Sequence, residues 1–103
     1  MKSTSDAHGK KGSKEIDYRW LERVVKGFAN HRRIAILFLI ERQPELSVEE
    51  IGEKLSVNHA TISDHLGKLA RSGLVMKRND GRSVRHKLTD RGKVILTFCQ
   101  MLV

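Results

Sequence analysis

Ser47 to Lys87 reads SVEEIGEKLSVNHATISDHLGKLARSGLVMKRNDGRSVRHK, and the punctuation within it decides the architecture. Ser47 followed three residues later by Glu50 is a capping box, in which each residue satisfies the other's backbone N–H at a helix start. A short helix follows that turns Val48, Ile51 and Leu55 inward. Ser56-Val57-Asn58 leaves only three residues before a second helix, which Asn58 is suited to cap. There Ile62, Leu66 and Leu69 recur at i, i+4 and i+7 as a buried stripe, and Gly73 supplies the left-handed residue that stops the helix. Asp80-Gly81 is a strong turn signal, so Leu74–Asn79 and Arg82–Leu88 are expected to pair as a hairpin. In the second strand Val84, His86 and Leu88 alternate with Ser83, Arg85 and Lys87, giving one apolar and one cationic face.

Working outward, Asp17 precedes a helical pattern with Leu21, Val24, Val25 and Phe28 on one face. Asn30 caps HRRIAILFLIER, which Pro44 must end. This segment is apolar on every side from Ile34 to Ile40 and should be the buried axle of the domain. Thr89 can cap a last helix carrying Val94, Ile95, Phe98, Met101 and Leu102 on one face, with Leu96, Cys99 and Val103 off it. Leaving such a face in water forgoes several kcal/mol at roughly 25 cal/mol per Å2, so a partner subunit is expected to cover it. The predicted class is α+β, mostly α, in the order α-α-α-α-β-β-α, with a short strand at Glu45-Leu46. Residues 15–103 form the domain. Residues 1–14, rich in Ser, Gly and Lys, are expected to be a basic disordered tail.

The 103 residues suit one domain with a single core. A mean hydropathy of -0.42 and 39% hydrophobic residues are ordinary for a globular chain. No apolar run approaches the roughly 20 residues of a membrane span. No apolar stretch follows the basic N-terminus, so no signal peptide is expected. One cysteine, Cys99, allows no internal disulfide, which suits a reducing compartment, and the cytoplasm is the default.

The formal charge of +8 is unevenly spread. Ser56 to Lys87 holds seven Lys and Arg against two Asp, whereas Glu41 to Leu55 holds five Glu against Arg42 and Lys54. The excess therefore concentrates in the second helix of the pair, the hairpin and the tail, which points to a polyanionic partner.

Two helices joined by three residues match helix-turn-helix geometry, in which the second helix enters the major groove by its N-terminal turns. The outward positions there are His59, Ala60, Ser63 and Asp64, the candidates for reading base edges. Small residues at Ala60, Ser63 and Gly67 allow close approach, and His59 and Ser63 can donate or accept hydrogen bonds. Asp64 either accepts from cytosine N4 or repels phosphate. Asn58, Thr61 and Lys68 are expected to support the helix or touch the DNA backbone. Lys77, Arg78, Arg82, Arg85 and Lys87 crowd the hairpin, where a basic loop reaches phosphates or an adjacent minor groove. Arg82, beside the turn, is the candidate for groove insertion.

From about Leu21 to Leu102 the chain resembles winged helix-turn-helix regulators of the ArsR/SmtB type. KGFANHRRIAILFLI is similar to that family's leading segment and LSVNHATISDHLGKLARSGLV to its recognition region. NDGRSVRHKLTDRGK is similar to its wing, although LTDRGK is as much a MarR-family ending. The resemblance implies a homodimeric transcription regulator that joins through its first and last helices, which places Leu21, Val25, Phe98, Cys99 and Leu102 at the interface. The family's metal-binding cysteines fall within a segment resembling ELCVC. Here Glu45-Leu46-Ser47-Val48-Glu49 stands in its place, so both thiolate positions are lost. The last helix offers only Asp90 and no histidine. None of His8, His31, His59, His65 and His86 pairs at a ligand spacing on one helix, so neither metal nor cofactor is expected. His65 reads as a packed or capping side chain and His86 as part of the wing core.

Cys99 reads as a small packing residue, with an intersubunit disulfide or redox switch as the alternative. Ser63-Asp64-His65 point in different directions on a helix, and neither a Gly-rich phosphate loop nor a nucleophile elbow is present, so no catalysis is expected. The resulting expectation is a sequence-specific binder of double-stranded DNA that regulates transcription, chiefly by occluding a promoter. The competitors are an architectural chromatin protein, a winged helix used for protein contact, and a small-molecule or redox sensor on the same frame.

Overall fold

Capping side chains mark where the helices start in the computed structural model, which describes residues 15–103. The expected tail, residues 1–14, lies outside them. Asp17 accepts from Trp20 N at 3.0 Å and opens α1, Tyr18–Phe28. Asn30 accepts from the backbone N–H of Arg32 and Arg33 and opens α2, His31–Arg42. At α3, Val48–Leu55, both halves of the capping box form, Glu50 N to Ser47 Oγ at 3.2 Å and Ser47 N to Glu50 Oε1 at 2.9 Å. Asn58 accepts from Thr61 N at the start of α4, His59–Arg71, and Thr89 from Gly92 N at α5, Asp90–Met101.

α4 ends in a Schellman arrangement. Gly73 has a φ of 75°, its N–H donates to the carbonyl of Ala70, and that of Leu74 donates to Leu69. The strands β1, Val75–Asp80, and β2, Ser83–Leu88, pair antiparallel with Val75 opposite Leu88 and Asp80 opposite Ser83. The two-residue turn is therefore Gly81-Arg82, one position later than the expected Asp80-Gly81. Gly81 takes a φ of 66° and Arg82 stays out of the left-handed region, as in a turn with glycine at its first central position. Asp80 remains in the ladder, where Arg85 Nε donates to its carboxylate at 3.1 Å. Arg82 thus moves from beside the turn into it. The expected strand at Glu45-Leu46 is a single bridge between Leu46 and His86.

The core is built around α2. Ile36, Leu37, Leu39 and Ile40 pack with Ile51, Ile62, Leu66, Leu69, Leu74, Val75 and Leu88. The apolar face expected on α1 divides, with Val24 and Phe28 buried and Leu21 and Val25 left in solvent. On α5, Leu96 is buried and Ile95 and Cys99 pack partly against the core, whereas Val94, Phe98, Met101 and Leu102 are exposed. Ile95 thus leaves the outward face assigned to it, because it lies beside Leu96 and Cys99 on the side that meets α2. Among the described residues no helix is long and apolar enough to cross a membrane.

Candidate nucleic-acid interface

Gly52 allows the helix pair to close. A Cβ at that position would lie 2.7 Å from the carbonyl oxygen of Val57, so only glycine lets the turn fold back on α3. Ser56 completes the turn in the left-handed region with a φ of 58°. α4 is then held by Ile62, Leu66 and Leu69 beneath it, while His59, Ala60, Ser63 and Asp64 are exposed on its other side. The structure brings these four candidates together on one surface. Asn58 is exposed and holds the cap, and Thr61 is half-buried at the flank. Asp64 and Lys68 pair along the helix at 3.4 Å, so the Asp64 carboxylate carries its own counter-charge. His59 Nε2 lies 3.7 Å from the Glu49 carboxylate, a solvated pair that contributes little to holding the ring.

The wing meets this helix end. Val48 and Glu49 of α3, His59 of α4 and Arg82, Ser83 and Val84 of the hairpin line one concavity of about 450 Å3. The other wing cations diverge. Arg78 Nη2 donates to the Glu45 carboxylate at 2.8 Å. Arg85 donates to Asp80 and to the backbone carbonyl of Glu45, and lies 3.8 Å from Glu50. These two side chains brace the wing against the segment before α3. Lys87 lines a separate cleft with Ile40, Pro44 and Lys93, away from His59. Lys77 is exposed on β1. Arg82 is the wing cation that shares the concavity with the α4 tip, and it makes no ion pair among the described residues. Spacing along the chain did not separate these roles, because the acidic partner Glu45 lies 33 residues from Arg78.

Two histidines complete the frame. His86 is buried, and its Nδ1 donates to the carbonyl of Leu46 at 2.8 Å, fixing the wing base as expected. His65 is 9% exposed and its Nδ1 accepts from Arg33 Nη1 at 3.1 Å. A guanidinium can only donate, so the His65 ring is neutral with its proton on Nε2. Burial first, and then the Arg33 charge, lower the pKa of His65. Arg33 Nη2 also donates to the carbonyl of Lys26, so this pair joins α1, α2 and α4. No role for Arg33 is legible in the sequence, because its partner His65 lies 32 residues away in α4. Among the described residues no three His, Cys, Asp or Glu side chains gather closely enough to hold a metal ion.

A helix-turn-helix followed by a two-stranded wing, over a core centred on one helix, defines a winged helix. The family model described as winged helix DNA-binding domain matches residues 30–92, and the chain belongs to that family. HlyU, a transcriptional activator of Vibrio cholerae, is 36% identical over 66 residues, 64% of this chain and 60% of that protein. Its solved structure superposes with a TM-score of 0.72 at 30% identity, covering 82% of this chain and 92% of that one. A Halobacterium salinarum protein named as an arsenical resistance operon repressor, ArsR, is 34% identical over 71% of this chain and 57% of its own length. The homodimeric winged helix-turn-helix DNA-binding domain of Mb0332 from Mycobacterium bovis, described as a possible ArsR-family regulator, gives a TM-score of 0.75 at 29% identity. It aligns with 82% of this chain and 79% of that one. The chain spans about three-fifths of the length of the curated relatives it matches.

Proposed function

We propose that the protein is a cytoplasmic, non-catalytic transcription regulator that binds double-stranded DNA as a homodimer at a pseudo-palindromic site. The observation that carries this reading is the meeting of the exposed α4 tip and Arg82 around one concavity. His59, Ala60, Ser63 and Asp64 would lie in the major groove, and Arg82 would reach the flanking backbone or minor groove. Asn58, Thr61 and Lys68 would position the helix on phosphates, with Lys77 adding charge along the wing. The homodimer would form through Leu21, Val25, Phe98 and Leu102, the exposed apolar residues of the first and last helices, with Cys99 at its edge. The relatives include one named an activator and one named a repressor, so the sign follows from where the site lies. A site overlapping the promoter gives repression by occlusion.

Selecting DNA from a random pool with the purified protein tests the proposal. Enrichment of one motif with two related half-sites is the expected result. Retention of DNA without an enriched motif would favour an architectural role, and failure to retain any DNA would favour a protein-contact module.

A further inference from the structure

One flank of α1, the last turn of α4 and the start of α5 border a second concavity, an open cleft of about 530 Å3. Arg23 and Lys26 of α1, Lys68 and Arg71 of α4, and Arg91 of α5 line it beside the indole of Trp20, and no carboxylate does. Lys26 and Lys68 have partners on their own helices, Glu22 at 2.9 Å and Asp64 at 3.4 Å. Arg91 Nη1 donates to the carbonyl of Ser72 at 2.9 Å, and its guanidinium lies 5.1 Å from the centre of the Trp20 ring. Arg23 and Arg71 are exposed and make no ion pair among the described residues. A cation in the last turn of a helix is favoured by the helix dipole, which accounts for Lys26, Lys68 and Arg71. It does not account for Arg23 in mid-helix, and it disfavours Arg91 in the first turn of α5. The two helices come this close because Gly27 faces Ser72, where a Cβ would collide with the serine hydroxyl.

We propose that this cleft binds a small phosphate ester of nucleotide size, with its phosphoryl oxygens on Arg23 and Arg71 and its organic body against Trp20 and Val24. Guanidinium groups match phosphate oxygens with paired N–H donors, and an anion relieves the mutual repulsion of Arg23, Arg71 and Arg91, which have no carboxylate partner among the described residues. The volume is far larger than one phosphate needs and falls in the range of small-molecule sites. An apolar wall beside a cationic one suits a ligand with a ring at one end and charge at the other. A DNA backbone needs no indole, and α4 carries Arg71 about 18 Å along its axis from His59. Leu21 and Val25 lie on the other flank of the buried Val24–Phe28 line, so a dimer formed through them leaves the cleft open. The proposal does not rest on the DNA reading.

Trp20 is the single tryptophan of the chain, so fluorescence excited beyond the absorption of Tyr18 reports on this cleft. Inorganic phosphate, pyrophosphate and AMP are titrated at constant ionic strength against chloride. A saturable change is expected with pyrophosphate and AMP, and AMP should bind more tightly than inorganic phosphate. Arg23→Gln and Arg71→Gln should each weaken AMP binding about tenfold or more, with unchanged thermal melts because both side chains are exposed. Arg71→Lys should retain part of the affinity. No saturable change beyond chloride would overturn the proposal, and equal affinity for inorganic phosphate and AMP would overturn the ester. If only duplex DNA moves the signal, and Arg23→Gln lowers the salt slope of DNA binding by about one, the cleft is a backbone grip instead.

Discussion

Arg33 is a buried cation whose nearest side-chain partner is a neutral histidine, and its Nε is buried without a hydrogen-bond partner among the described residues. The bond to His65 exists only while Nδ1 is unprotonated. Because burial lowers the His65 pKa in the folded chain, the unfolded chain takes up the proton first as the pH falls. The stabilisation is present above the ordinary imidazole value of about 6.5 and is lost below it. His86, also lowered chiefly by burial, acts with the same sign. Thermal melts between about pH 7.5 and pH 5.5 should show a falling midpoint, with a shallower fall in His65→Asn, whose amide oxygen can still accept from Arg33. An identical fall in the variant would remove His65 from the cause. At the other end of α4, His59→Ala should change the preferred base at one position per half-site, by roughly 1–3 kcal/mol. An unchanged preference in a selection experiment would shift the reading role to Ser63 or Asp64.

Caps and glycine stops fix where each element begins and ends, and these were legible because they depend on neighbours in sequence. The hairpin turn was displaced by one residue because Gly81 serves as the first central residue of a turn that takes glycine there, which leaves Asp80 in the ladder beside Arg85. The division of the wing cations into braces and free groups was not legible either, since Glu45 and Glu50 reach them only through the tertiary fold. The close joint between α4 and α5 was likewise silent in the sequence. The Gly73 carbonyl accepts from Thr89 Oγ1 at 2.6 Å, and the Leu74 carbonyl accepts from Thr89 N at 3.1 Å. Gly92 sits directly on that Leu74 carbonyl, where a Cβ would overlap the oxygen. Gly92→Ala should therefore destabilise the fold by about 1–3 kcal/mol, measured by urea unfolding. A change within about 0.5 kcal/mol would mean that α5 moves aside freely.

Across the whole molecule, the exposed faces of α1 and α5 and the cationic wing make two separate demands on partners. Phe98 is 52% exposed and Leu102 70%, which leaves apolar area that a second subunit can cover. Phe98→Asp should shift the protein from dimer to monomer in sedimentation equilibrium while leaving its helical content intact, because the side chain lies outside the core. A dimer of unchanged stability would place the interface elsewhere. In the proposed complex the two α4 helices lie about 34 Å apart. If the dimer neutralises about eight phosphates, log K against log salt should slope near −7. A slope near zero would remove the electrostatic grip on DNA.

The attachment of the wing has one more consequence. Glu45 N donates to the His86 carbonyl, the Leu46 carbonyl accepts from both His86 N and Nδ1, and Arg85 returns to the Glu45 carbonyl. Glu45 is held there in left-handed backbone, φ 73°, so a local cost is balanced by these tertiary bonds. The root of the hairpin is thus clamped to the segment that leads into α3, and Arg82 is carried at the far end of the wing, across a concavity from His59. In the proposed complex a wing anchored at its root would sit at a set distance from α4, and binding would then depend on groove width even at positions no side chain touches.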